Sequence, residues 1–336
     1  MSAAIRTAKT HLPKATGRAA ALDGLAAAGA LLLAAGLPSA AQAKAKPAAD
    51  STAQIQALLD HPVNGVVNLP SGTFTIRPAL LLSQGEKIVG HRTTLKVAAS
   101  AGNYAAVLAG ATPATDLSGL AITGVTFDQN AAGDPITSAP KLYQGYPRFV
   151  IMAVKGAGIT ITGDKFLNTN NVNTIVTGSA TSNVTISGNT FTGVDLPWHD
   201  HSSIYTSGTG AVISNNTFTG TRDIAAIEVH GDKAAITGNT IRGYYRGANI
   251  VASDTTFTAN TITGALGPVD LWSTVAPGLH NVTVTGNTLN QDLHGWAAYL
   301  KTIAIPMPTG VQIQPVFQQP TSTYPFTQIT ISGNHS

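Results

Sequence analysis

Between positions 195 and 272 the chain gathers side chains that can move protons. Glu228-Val229-His230 places a carboxylate and an imidazole two residues apart. On an extended strand such residues share one face, so the two groups can bond to each other. Asp270 supplies a second acid and Tyr205 a phenol. Residues 195–203 add Trp198, His199, Asp200 and His201. Arg222 and Asp223 follow, then Tyr244, Tyr245 and Arg246, with Asn249 and Trp272 beyond them. Carboxylates beside an imidazole suit general acid–base catalysis. Aromatic rings among charged and amide groups suit sugars, whose faces stack while their hydroxyls hydrogen-bond.

A repeat places these residues. Val184-Thr185-Ile186-Ser187-Gly188-Asn189-Thr190-Phe191 has copies at 211–218, 234–241, 256–262 and 282–289, with weaker ones at 159–166, 120–127 and 329–334. Taking Asn189 and its equivalents as markers, at 164 (an Asp), 189, 216, 239, 260, 287 and 334, the intervals are 25, 27, 23, 21, 27 and 47, the last close to two turns. Such a period in β-branched, Gly-punctuated segments signals a stacked solenoid. A second strand precedes each marker. Aligned on the markers, Ile204, Ile227, Val229, Ile250, Val269 and Leu271 take the core-facing positions, so Tyr205, Ser207, Glu228, His230, Asn249, Asp270 and Trp272 face outward together. Glu228 and Asp270 then stand two turns apart, about 9–10 Å between backbones. Lys155 falls on the same face, three turns from His230, as a substrate-binding residue.

The recurring Asn residues read as structure, an inward hydrogen-bonded ladder at a tight turn. Asn183 and Asn281 begin glycosylation-type sequons of the kind expected by chance in so Asn- and Thr-rich a chain. His199-Asp200-His201 with Asp223 falls short of a full metal-ligand set. A divalent cation such as Ca2+ held by Asp200, Asp223 and Glu228 is the one cofactor option the residues leave open.

Composition agrees with a solenoid: 10% charged residues, 34 Gly and no Cys in 336 residues. Residues 1–43 read as a secretory signal peptide: Arg6, Lys9, Lys14 and Arg18, an Ala/Leu run at 25–37, and the small-x-small site Ala41-Gln42-Ala43. The expected product is a secreted, extracellular chain cleaved near Ala43, with residues 44–336 forming one domain. Removing four of the 19 bases and one of the 16 acids leaves 15 of each. A balanced mature chain gives no indication of nucleic acid, and no later segment suggests a membrane. A monomer acting on a polysaccharide is expected. Asp50-Ser51-Thr52 can cap a helix bearing Ile55, Leu58 and Leu59, which would cover the first coil. Ala297–Pro325 breaks the repeat and reads as a groove-side loop, and no C-terminal cap is evident before Ser336.

The helix followed by Asn68–Ile76 and Gly85–His91, with the repeats downstream, resembles the right-handed parallel β-helix proteins of the pectate-lyase-like superfamily. The resemblance spans nearly all of the mature chain. It implies an all-β, right-handed parallel β-helix with a short N-terminal capping helix, a fold that hosts lyases, hydrolases, epimerases, tailspikes and adhesins. It favours a lyase that cleaves a uronic-acid polysaccharide by β-elimination. Arg246, Arg222 or a cation would then neutralise the carboxylate, and His230 or Tyr205 would exchange protons. A glycoside hydrolase using Glu228 with Asp270, or with Asp200 and Asp223, is the second expectation. A non-catalytic carbohydrate-binding module is the third. Leu196–Asp200 is similar to the Asp-Pro-His-Asp motif of alginate C5-epimerases, but with Leu at 196 and Trp198 inserted. The paired-Asp and Gly-His-Gly motifs of polygalacturonases and the Arg-rich signature of classical pectate lyases are absent.

Overall fold

The computed structural model describes residues 49–102, 104–135, 148–169, 172–193, 202–220 and 225–336. The expected leader lies outside them. Ala49–Ser336 forms one compact unit, and among the described residues no helix is long and apolar enough to cross a membrane. The chain opens on helix α1, Thr52–Asp60, which buries Ile55 and Leu59. Its start is held by Asp50, whose Oδ1 accepts from the Thr52 amide at 2.9 Å; Ser51, expected to share the capping, makes no side-chain cap bond.

Every strand pairing within the two sheets is parallel, as in a coil that climbs one strand spacing per turn. The marker segments stack into a 17-stranded sheet, and the second strands form a nine-stranded one. In chain order the nine are β1 (Leu80–Leu82), β2 (Ala106–Gly110), β3 (Phe149–Ala157), β4 (Asn173–Ser182), β5 (Ser202–Thr206), β6 (Ala225–Val229), β7 (Arg246–Ile250), β8 (Gly267–Leu271) and β9 (Val316–Gln318). Stacking aligns like residues. Phe127, Phe166, Phe191 and Phe218 pile up inside with ring centroids 5.3, 4.7 and 4.6 Å apart. Ile204, Ile227, Ala248 and Val269 fill the core beneath the nine-stranded sheet.

The Asn ladder is present, and its geometry explains the repeat. Nδ2 of Asn189, Asn216, Asn239 and Asn260 donates to the Oδ1 of the next marker at 2.9–3.1 Å, and also inward to Ile161, Ile186, Ile213 and Ile236 carbonyls. These bonds satisfy backbone groups at a buried corner, where an unpaired carbonyl would be costly. Turning that corner puts the preceding residue in the left-handed region: Gly188 at φ 64°, Gly238 at 66°, Gly286 at 65°, but also Ala259 at 55°. Gly is favoured there because it has no Cβ to clash.

The 47-residue interval before Asn334 is a single turn rather than two. Asn287 Nδ2 donates directly to Asn334 Oδ1 at 2.8 Å, and Leu279–Thr285 pairs with Phe326–Ser332. The excess length is an insertion. It holds helix α2 (Leu293–Thr302), capped by Asp292, and then β9, which joins the nine-stranded sheet beside β8. The Pro-rich segment is therefore partly built into the solenoid, where a groove-side loop was expected.

Candidate functional site

Strand register puts Tyr205, Glu228, Asn249, Asp270 and Phe317 in one column on adjacent strands. Glu228 and Asp270 are thus two strands apart, about 10 Å between backbones. The next outward column contains His230 and Trp272, and each bonds back to the acid two residues before it. His230 Nε2 lies 2.7 Å from Glu228 Oε1, and Trp272 Nε1 donates to Asp270 Oδ2 at 2.7 Å. Simple alternation predicts these positions correctly but fails at the strand starts. A Cβ on Gly247 would collide with the core side chain of Ile262, so Gly247 faces inward. Arg246 accordingly lies outside, with its Nε 3.6 Å from Asp270 Oδ2.

The two carboxyl groups sit in opposite surroundings. Burial alone would raise Glu228, but the bond and charge of His230 and a 2.7 Å bond from Ser202 Oγ outweigh it and hold Glu228 below the usual carboxylate range. Asp270 is only 2% exposed. Burial pushes it up to about 7; Arg246 and the Trp272 N–H pull against that rise, and the charge of Glu228 adds to it. Glu228 is therefore an ionised carboxylate through the neutral range, while Asp270 holds its proton until the pH reaches about 7.

Arg246 corrects an expectation. It is 6% exposed, ion-paired to Asp270, and sandwiched between the rings of Tyr245 at 4.3 Å and Phe317 at 4.8 Å. A guanidinium enclosed between two rings presents no open face to a substrate carboxylate. Gly267 makes the sandwich possible, because a Cβ there would collide with the Arg246 guanidinium. Tyr244, grouped by sequence with the groove aromatics, is wholly buried and bonds Ser203 at 2.8 Å. Tyr245 packs edge-on against Trp296 of α2 at 5.4 Å. Lys155 is exposed but pairs with Ala180 beyond a register shift, beside Asp116, and does not reach the carboxylates. Tyr205 and His230 bring their rings to 4.9 Å.

Three contributors escaped the sequence reading. Ser202 orients Glu228, while Phe317 and Gln319 arrive with β9, Gln319 Nε2 lying 3.4 Å from Asp270 Oδ2. Asn249 lies between the two acids. Its Oδ1, Asp270 Oδ1 and Arg246 Nη1 are buried polar atoms with no hydrogen-bond partner. Trp198, His199, Asp200, His201, Arg222 and Asp223 lie outside the described residues, so the Ca2+ option resting on Asp200 and Asp223 does too. Among the described residues no three His, Asp or Glu side chains converge on a point that would hold a metal ion.

A family model described as a right-handed beta helix region matches residues 118–289. No curated protein matches the chain in sequence. Among solved structures, the tailspike protein of E. coli bacteriophage HK620 is similar. A double mutant in complex with a pentasaccharide superposes with a TM-score of 0.67 at 18% identity, over 86% of this chain and 54% of that one. A single mutant with a pentasaccharide gives 0.63 at 20% identity over 72% and 47%, and a mutant that also lacks two residues, with a hexasaccharide, gives 0.59 at 20% over 72% and 48%. The chain thus spans about half the length of the tailspike chains it matches. At this identity the likeness is one of fold.

Proposed function

The chain belongs to the family of right-handed β-helix regions, and on that scaffold we propose that it is an exported glycoside hydrolase acting on a polysaccharide laid along the nine-stranded sheet. One observation carries the reading: two carboxyl groups, two strands apart on one outward column, are held in opposite protonation states. Side chains rising side by side from backbones about 10 Å apart suit the inverting arrangement, in which a water molecule fits between one carboxylate and the sugar, better than the covalent route with carboxyls about 5 Å apart. Asp270 gives its proton to the glycosidic oxygen as the bond to the anomeric carbon breaks. Glu228, held by His230 and Ser202, takes a proton from the attacking water, whose oxygen bonds that carbon from the opposite face. Exchange with solvent resets both groups. In this reading the sugar ring spans Asn249, which lies between the two acids in the strand register.

A second reading, β-elimination from a uronide, draws on the Tyr205–His230 ring pair beside Glu228. It needs a cation for the uronate, and Arg246 is buried between the rings of Tyr245 and Phe317.

Incubation with neutral and acidic polysaccharides separates the two. The hydrolase releases reducing ends without unsaturated uronates, and kcat/KM falls as pH rises through about 7, where Asp270 loses its proton. Glu228→Gln and Asp270→Asn each lower kcat by about 10²–10⁴-fold. Unsaturated products, or full activity in Glu228→Gln, would sink the assignment.

A further inference from the structure

The outward column that holds Glu228 continues toward the N-terminal end of the sheet, where its character changes. Register aligns Tyr205 with Val176, Val176 with Met152, Met152 with Ala109 and Ala109 with Leu81. Leu81 is 44% exposed, and Met152 and Val176 are partly exposed. Across β1–β5 the only charged side chain is Lys155. A sheet face turned toward solvent ordinarily alternates core residues with polar ones. Here four successive outward positions lack any polar side-chain atom; Ala109 among them is buried, and the column runs on through Tyr205 to the carboxylates.

Building on the hydrolase reading, we infer that this track selects the substrate, a polysaccharide whose sugars bear methyl or acetyl groups, as 6-deoxy and acetylated sugars do. The argument is one of hydrogen-bond accounting. Sugar hydroxyls pressed against Val176, Met152 and Leu81 would lose water and gain no partner, which disfavours a glycan rich in free hydroxyls. Methyl and acetyl groups lose nothing there and bury apolar area. A uronate chain is disfavoured too, since Lys155, the one charge on these strands, lies beyond the register shift and away from this column. Strands about 4.8 Å apart match the length of one sugar unit, so successive residues of a polymer threaded through the acid pair meet successive rungs.

Binding tests the track independently of cleavage. The Glu228→Gln variant is offered dextran, polygalacturonate, a rhamnose polymer, and an O-acetylated mannan before and after alkaline deacetylation. Retention of the rhamnose polymer or the acetylated mannan is expected, lost on deacetylation in the second case. Adding Val176→Thr or Met152→Gln, outward changes that leave Tm unaltered, weakens that binding about tenfold. The proposal is overturned if dextran or polygalacturonate binds best, if no polymer is retained, or if the added changes leave affinity intact. Wild-type protein assayed in parallel keeps the two ideas apart. A polymer held through the track but not cleaved removes the hydrolase and leaves the track. A polymer cleaved with no sensitivity to Val176→Thr removes the track and leaves the hydrolase.

Discussion

Asp164 occupies an asparagine's place, and replacing it should stabilise the protein in a pH-dependent way. Its Oδ1 accepts from the Val125 amide at 2.8 Å, just as each ladder Asn accepts from the turn before. Its Oδ2, however, has no partner and is buried, at the point where an Asn would donate onward to Asn189 and inward to the preceding turn. Burial therefore pushes Asp164 up to about 7 from 3.8. The folded chain keeps a proton that the unfolded chain releases above about pH 4, so stability falls as pH rises between about 4 and 7. A shift of roughly three units corresponds to about 4 kcal/mol at most. Asp164→Asn removes this cost and supplies the missing donors. The variant should be more stable by about 4 kcal/mol at pH 8, with the difference shrinking to about 2 kcal/mol near pH 5, where only the unfolded chain's Asp is ionised. Denaturant midpoints of both proteins at the two pH values provide the assay. Asp270 titrates in the same range but is common to both, so it cancels from the difference. Equal stability at pH 8, or a gain that does not change with pH, would refute the account of Asp164 as a misfit in the ladder.

Two further expectations follow from the same corner. Ala259 holds φ 55° where its neighbours in the column are Gly238 and Gly286, so Ala259→Gly should raise stability by about 1 kcal/mol in a denaturant titration. Asn239→Ala deletes donors to Ile213 and Asn260 and an acceptor for Asn216. It leaves buried backbone unpaired and should cost about 3 kcal/mol or more; a loss below 1 kcal/mol would mean water replaces the amide.

How much was legible depends on how local the cause was. The solenoid, its turn marker and the outward placement of Glu228, His230, Asp270 and Trp272 follow from two short-range regularities, the repeat interval and strand alternation. Both act within one turn of chain, so a single sequence displays them. The Asn ladder was readable for the same reason: each copy from 189 to 287 shows Asn three residues after an apolar core position and directly before a Thr.

What only the tertiary structure decided involves residues that no repeat aligns. Arg246 breaks the alternation because Gly247 turns into the core, and its guanidinium then lies beside Asp270, between Tyr245 and Phe317. Phe317 and Gln319 come from an insertion whose length looked like another turn, and they reach Asp270 only because β9 pairs with β8. The opposite protonation of Glu228 and Asp270 likewise depends on how deeply each is buried and on what faces it across the strands. Sequence spacing orders residues along a turn, whereas desolvation and charge pairing are set by neighbours in other turns. The sequence alone therefore placed these residues in one outward column, and packing between turns set the surroundings of each.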